Sequence, residues 1–128
     1  MVGKYKLNEI DNYISKVLKF LLFEMVPEYA KGYAKEDVSE EGIYFFMNDF
    51  AIDLGRELSF DNSSSFVKNA FEYINLLGAH NNLEILNIVN VGILEILYTT
   101  ESLNRNMVCD LLCEKLKIHF NSFSDYYQ

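Results

Sequence analysis

Basic residues, proline and cysteine are all scarce in this sequence, and the first two shortages each exclude a class of protein. Among 128 residues there are 11 lysines and arginines against 19 aspartates and glutamates, which gives a net charge of −8. Binding to nucleic acid through its phosphates requires a basic surface, so this charge argues against a direct nucleic-acid partner. The single proline and the six scattered glycines leave no linker or low-complexity segment, which argues against a second domain.

Long apolar runs are missing, and the cysteines are only two. Apolar stretches such as residues 20–23 are broken by a charged residue well before the roughly 20 residues that a membrane helix requires. No apolar region follows the first lysines, so we expect no signal peptide. Cys109 and Cys113 lie four residues apart in a helical pattern, which is typical of reduced thiols in or near a core. The sequence therefore predicts a cytoplasmic protein with no membrane partner.

Catalytic motifs are missing as well. The glycines stand alone and form no phosphate-binding loop, and His80 and His119 are the only histidines and stand in no recognisable motif. A cysteine nucleophile paired with His119 is disfavoured, because Cys109 and Cys113 flank leucines in a helical pattern, where cysteine normally packs. We therefore expect a protein that is not an enzyme and that binds no cofactor.

Apolar residues recur every three or four positions through most of the chain, which is the period of an amphipathic helix. This pattern predicts an all-α fold, with residues 1–128 forming a single-domain bundle of about five main helices plus short helical turns. The predicted main helices cover residues 7–25, 43–58, 65–78, 83–97 and 103–116. Gly78 is predicted to be the C-cap of the third helix. The fourth helix is apolar around most of its circumference and is therefore predicted to be central, with a close helix crossing at Gly92.

Most of the negative charge lies in one segment. Residues 36–61 contain eight acidic side chains and one basic side chain. Asp49, Asp53 and Glu57 are four residues apart and line one stripe of a helix, where like charges weaken an isolated helix rather than stabilise it. The stripe is therefore either a solvated face or a surface for a basic partner. A metal site would need further oxygen ligands from elsewhere, and the chain lacks the Glu–His spacing of bundle metal proteins, so we expect no metal.

Three segments in the second half of the chain resemble a known family. They are residues 65–74 (SFVKNAFEYI), 87–97 (NIVNVGILEIL) and 111–116 (LLCEKL). The first is aromatic-rich, and the second has the pattern N-x-x-x-x-G-x-L-E-x-L. Over residues 65–116 the chain resembles a small all-helical bacterial family, many of whose members have no known function, and which is similar to immunity proteins of contact-dependent and polymorphic toxin systems. It departs from that family at Cys113 and Glu114, where the family tends to have Gly-Pro.

The resemblance implies an immunity protein that binds and neutralises a cognate toxin domain. Such proteins commonly bind nuclease toxins, whose clefts are basic because they hold phosphates, so an acidic surface would complement them. The predicted charged contacts are Glu40, Glu41, Asp49, Asp53 and Glu57, with Tyr44 as an aromatic anchor. Two alternatives stay open: a regulatory or adaptor bundle that binds another protein through the same face, and an enzyme or ligand carrier that uses the bundle interior.

Overall fold

Helices make up most of the chain, and no strand occurs in the residues that the structure describes. A computed structural model describes the backbone of residues 2–30 and 42–127, and the side chains of residues 13–29 and 42–127. The prediction of an all-α bundle is confirmed. The helices are α1 (Val2–Met25), α2 (Pro27–Ala30), α3 (Ile43–Phe60), α4 (Ser65–Gly78), α5 (Leu83–Asn87, a π-helical segment Ile88–Leu94, and Glu95–Thr99), α6 (Arg105–Asp110) and α7 (Glu114–Ser122), followed by a 3₁₀ turn (Phe123–Asp125).

Short polar side chains start three of these helices. Ser64 Oγ accepts a hydrogen bond from the backbone N–H of Val67 at 3.2 Å, and Asn82 Oδ1 accepts one from the N–H of Ile85 at 3.0 Å. Asn104 caps α6 in the same way. Each cap satisfies an N–H group that has no partner within its own helix. Local sequence therefore determines where α4, α5 and α6 begin.

The fourth predicted helix, α5, is the central one. It packs against α3 and α4, and also against α7. Its middle and end are buried, with the side chains of Val89, Ile93, Leu94 and Leu97 fully covered. This confirms the prediction of a central helix from its apolar circumference.

The middle of α5 is wound more widely than an α-helix. The N–H of Glu95 donates to the carbonyl of Asn90, five residues earlier, so the helix accommodates an extra residue in this turn. A Cβ atom on Gly92 would lie 2.9 Å from Cβ of Met47 on α3. The predicted close crossing at Gly92 is therefore confirmed, whereas the sequence pattern did not indicate the π-helical segment.

The prediction of one last helix over residues 103–116 is wrong, because the chain breaks between α6 and α7. Asn75 on α4 makes this break possible. Its Nδ2 donates to the carbonyl of Leu111 at 3.0 Å, and its Oδ1 accepts from the N–H of Cys113 at 2.9 Å. The amide side chain thus takes the place of helical hydrogen bonds at the break.

Gly78 has a different role from the predicted C-cap. It is the last residue of α4, its C-cap is Ala79, and no described glycine has a positive φ. A Cβ atom at Gly78 would lie 2.4 Å from Cδ1 of Leu116, which is fully buried. The residue must therefore be small because α7 passes close to it.

The aromatic residues after α7 pack back onto the bundle. Phe123 and Tyr127 are partly buried against the core, with ring centroids 5.6 and 6.2 Å from that of Tyr98. Tyr126 points outward and is 79% exposed.

Cys109 and Cys113 are free and half-buried.

A buried hydroxyl joins α4 to α1. Tyr73 is fully buried, and its hydroxyl donates to the backbone carbonyl of Leu18 at 2.7 Å; burial raises the pKa of this phenol. We expect Tyr73→Phe to lower the free energy of unfolding by about 1 kcal/mol, because the Leu18 carbonyl loses a buried donor. Urea denaturation measures this. Tyr126→Phe, at an exposed tyrosine, should leave the stability unchanged, and an equal effect of the two substitutions would contradict the assignment.

Candidate protein-binding face

One side of α3 is buried and the other presents large apolar side chains to solvent. The buried side consists of Phe46, Met47, Phe50, Ala51, Leu54, Gly55 and Leu58. On the outside, Phe45 is 71% exposed, Ile52 is 42% exposed and Phe60 is 92% exposed. Their spacing of seven and eight residues brings them to one side of the helix, because an α-helix turns once every 3.6 residues. We call these three residues the apolar strip.

The predicted acids lie beside the apolar strip on the same helix. Asp49 is exposed, and Asp53 and Glu57 are half-buried. We call these three residues the acidic stripe. Asp53 Oδ1 lies 3.2 Å from Nη1 of Arg56, and the arginine side chain is 77% exposed. Such an exposed pair contributes about 0 to 1 kcal/mol, so it adds little to the stability of the fold.

Tyr44, the predicted anchor, is engaged within the fold. It is half-buried, its hydroxyl accepts from Nδ2 of Asn87 at 2.6 Å, and it donates to Oε1 of Glu84 at 3.4 Å. Burial is the main cause that raises the pKa of this phenol. Tyr44 therefore ties α3 to the start of α5. Glu40 and Glu41, the other two predicted contacts, lie outside the described residues.

A groove lies between α3 and the loop that follows α5. It has a volume of about 490 Å³ and is lined by Ile52, Gly55, Arg56, Ser59, Phe60, Thr100 and Ser102. Ser59 connects its two sides: its hydroxyl donates to the carbonyl of Gly55 at 3.0 Å and lies 3.3 Å from the hydroxyl of Ser102. These hydrogen bonds hold the loop after α5 against α3, so the groove is already formed in the unbound protein.

The described histidines and acids do not converge. No group of three histidine, cysteine or acidic side chains could hold a metal ion in the part of the chain that the structure describes. The carbonyl of His80 accepts from Nζ of Lys115 at 2.9 Å, and Nδ1 of His119 lies 3.4 Å from Nδ2 of Asn90.

Among the described helices, none is both long enough and apolar enough to cross a membrane.

Comparison with known proteins adds no relative. No protein-family model, no curated protein and no solved structure matches this chain.

Ile52 and Phe60 are the residues of this surface that the charge pattern does not reveal. A signal for them does exist in the sequence. Both are large apolar residues that fall outside the core stripe of α3, so each is either covered by another element of the fold or exposed to solvent. The exposed fraction of each side chain decides whether it is covered or open to solvent, and this fraction can be read only from the structure.

Proposed function

We propose that this protein is an immunity protein, which acts by binding and neutralising a toxin domain with a basic cleft. The observation that carries the binding part of this proposal is the surface of α3, where the apolar strip and the acidic stripe lie side by side. Large apolar side chains that are exposed on one face and bordered by polar residues are suited to contact with another protein. The resemblance of residues 65–116 to proteins similar to immunity proteins supports the toxin as the partner.

The two parts of this surface have different roles in such a complex. The acidic stripe accelerates encounter with a basic partner, to about 10⁸ M⁻¹s⁻¹ or more at low salt. Aromatic side chains that become buried at the centre of an interface supply much of the binding energy and slow dissociation. Phe45 and Phe60 are suited to that role because they are the most exposed aromatic side chains of α3. A nuclease cleft, which is basic because it holds phosphates, would attract the acidic stripe.

The test is binding to the toxin domain encoded beside the gene, measured by titration calorimetry at low and high salt. We expect nanomolar affinity that weakens as salt rises. Replacing Asp49, Asp53 and Glu57 together by serine should weaken binding at least tenfold at low salt. Asp49 is exposed, and Asp53 and Glu57 are only half-buried, so the variant should remain folded, which circular dichroism checks.

A matched variant separates the acidic stripe from net charge. Glu72, Asp110 and Asp125 are exposed acids on other parts of the described surface, and replacing all three by serine changes the net charge equally. We expect this variant to bind almost as tightly as the wild-type protein. Equal losses in both variants would show that only total charge matters, and no binding by the wild-type protein would overturn the proposed function.

A further inference from the structure

A second cavity adjoins the groove at the loop that follows α5. It has a volume of about 290 Å³ and is lined by Thr100, Glu101, Leu103, Asn104, Arg105 and Asn106. Thr100 also lines the groove, so the two cavities meet at this residue. The charged side chains that line them are Arg56 and Arg105 against one acid, Glu101. In a protein with a net charge of −8, this lining is a local excess of positive charge.

Arg105 is held in place by contacts that use only part of its guanidinium. Its Nε donates to the backbone carbonyl of Tyr98 at 2.9 Å, and its Cζ lies 3.9 Å from the centroid of the Tyr98 ring. Tyr98 is buried, whereas Arg105 is exposed. Within the described residues, the terminal nitrogens Nη1 and Nη2 have no hydrogen-bond or ion-pair partner. The fold thus fixes the guanidinium and leaves its outer edge open.

This edge matches a carboxylate. Two terminal nitrogens of a planar guanidinium can donate in parallel to the two oxygens of one carboxylate. Binding usually requires that a long arginine side chain becomes ordered, and the contacts with Tyr98 have already ordered Arg105. The side-chain amide of Asn106, which lines the same cavity, has no hydrogen-bond partner within the described residues and offers a further donor.

A phosphate matches the cavity less well than a carboxylate does. A phosphate group carries between one and two negative charges at neutral pH, whereas the cavity holds one guanidinium. Glu101 lines the same cavity and offsets part of that positive charge. The lining therefore favours an anion with a single charge and two oxygens.

We propose that this cavity binds the carboxylate of an aspartate or glutamate in a peptide segment of a partner protein, with Arg105 donating both hydrogen bonds. The adjoining groove accommodates an apolar neighbour of that acid, because Ile52 and Phe60 line the groove and are exposed. The pair of cavities thus suits a peptide better than a small free carboxylate. The inference goes beyond the proposed function, since the group recognised here has the opposite charge to a basic cleft.

The first experiment uses a peptide probe and does not require the toxin. The probe is a short peptide with glutamate between two leucines, capped at both ends, and its control has glutamine in place of glutamate. In a ¹⁵N NMR titration of the full chain, we expect the glutamate peptide to shift the Nε–H signal of Arg105 and the backbone amides of Glu101 and Asn106. The glutamine peptide should shift these signals much less.

Two results of this titration would contradict the inference. One is equal shifts with the glutamate and glutamine peptides, or shifts confined to other parts of the protein. The other comes from inorganic phosphate at the same concentration: larger shifts at Arg105 with phosphate than with the glutamate peptide would mean that the cavity does not prefer a carboxylate.

Glu101→Gln tests the site without removing any contact of Arg105. Glu101 is exposed, so the variant should remain folded. We expect it to bind the glutamate peptide about two to five times more tightly, because a negative charge that lines the cavity opposes the carboxylate. Glu72→Gln changes the net charge equally at an exposed position that lines neither cavity, and it should leave the affinity unchanged. Equal effects of the two substitutions would overturn the inference.

Arg105→Gln removes the guanidinium itself. We expect it to weaken binding of the glutamate peptide about tenfold, the value of a lost charge-assisted hydrogen bond. Circular dichroism checks that the variant is folded, since Arg105 also covers Tyr98. Undiminished binding would show that Arg105 does not receive the carboxylate. If the variant is not folded, the comparison of Glu101→Gln with Glu72→Gln decides.

Discussion

Replacing Phe50 by alanine is expected to lower the free energy of unfolding by about 3 to 5 kcal/mol, the range for removing a fully buried phenylalanine ring. Phe50 is fully buried on α3. Its ring centroid lies 5.1 Å from that of Tyr29, 6.4 Å from that of Phe66 and 6.1 Å from that of Tyr73. These rings belong to α2 and α4, so the loss of Phe50 leaves a cavity where three helices meet.

Phe45→Ala is the matched control for this prediction. It removes the same side chain from the same helix, but Phe45 is 71% exposed. We expect the stability to change by less than about 0.5 kcal/mol, as at other surface positions. Urea unfolding followed by circular dichroism measures both variants. Similar losses for Phe50→Ala and Phe45→Ala would mean that the buried side of α3 is assigned incorrectly.

Gly92→Ala is expected to destabilise the protein by about 1 to 3 kcal/mol, the usual cost of overpacking a core. Alanine favours a helix over glycine by about 1 kcal/mol, so local propensity alone predicts the opposite sign. Steric overlap should prevail, because the added methyl group would lie 2.9 Å from Cβ of Met47. A Cβ atom is fixed to its backbone, and relief of this contact requires α3 and α5 to move apart.

Gly55→Ala provides the comparison for Gly92→Ala. Gly55 is also a helical glycine, but a Cβ atom there would meet Leu103 Cδ1 at 3.6 Å, which is an ordinary van der Waals contact. We expect this variant to gain up to about 1 kcal/mol in stability through helix propensity. Thermal unfolding of the two variants should therefore shift in opposite directions. A stabilised Gly92→Ala variant would show that the helix crossing is looser than the structure indicates.

Much of the fold could be predicted from the sequence because local signals determine it. The bounds of α3 and α4 follow from the spacing of apolar residues. At the start of α4 they also follow from Ser64, whose side chain accepts a hydrogen bond from a backbone N–H only three residues later. The break between α6 and α7 could not be predicted, since its hydrogen bonds come from Asn75, 36 residues before Leu111. The need for a small residue at Gly78 could not be predicted either, since its close neighbour is Leu116 on α7.

The candidate site was predictable to a similar extent. The acidic stripe follows directly from a spacing of four residues within one helix. The placement of Tyr44 does not, because its hydrogen-bond partners, Glu84 and Asn87, are 40 and 43 residues away in the chain. The groove was not predictable either, as its two sides come from α3 and from the loop that follows α5.

The π-helical segment of α5 determines how far the side chains after it are rotated about the helix axis relative to the side chains before it. Each residue of an α-helix advances the side-chain direction by about 100°, so one residue taken up in a wide turn changes which neighbours the following residues meet. Before the segment, Asn87 meets Tyr44; after it, Tyr98 meets the ring of Phe120, and Glu95 accepts a hydrogen bond from Tyr127. A single helix thereby connects Tyr44, at the start of α3, with Phe120 and Tyr127, in and after α7.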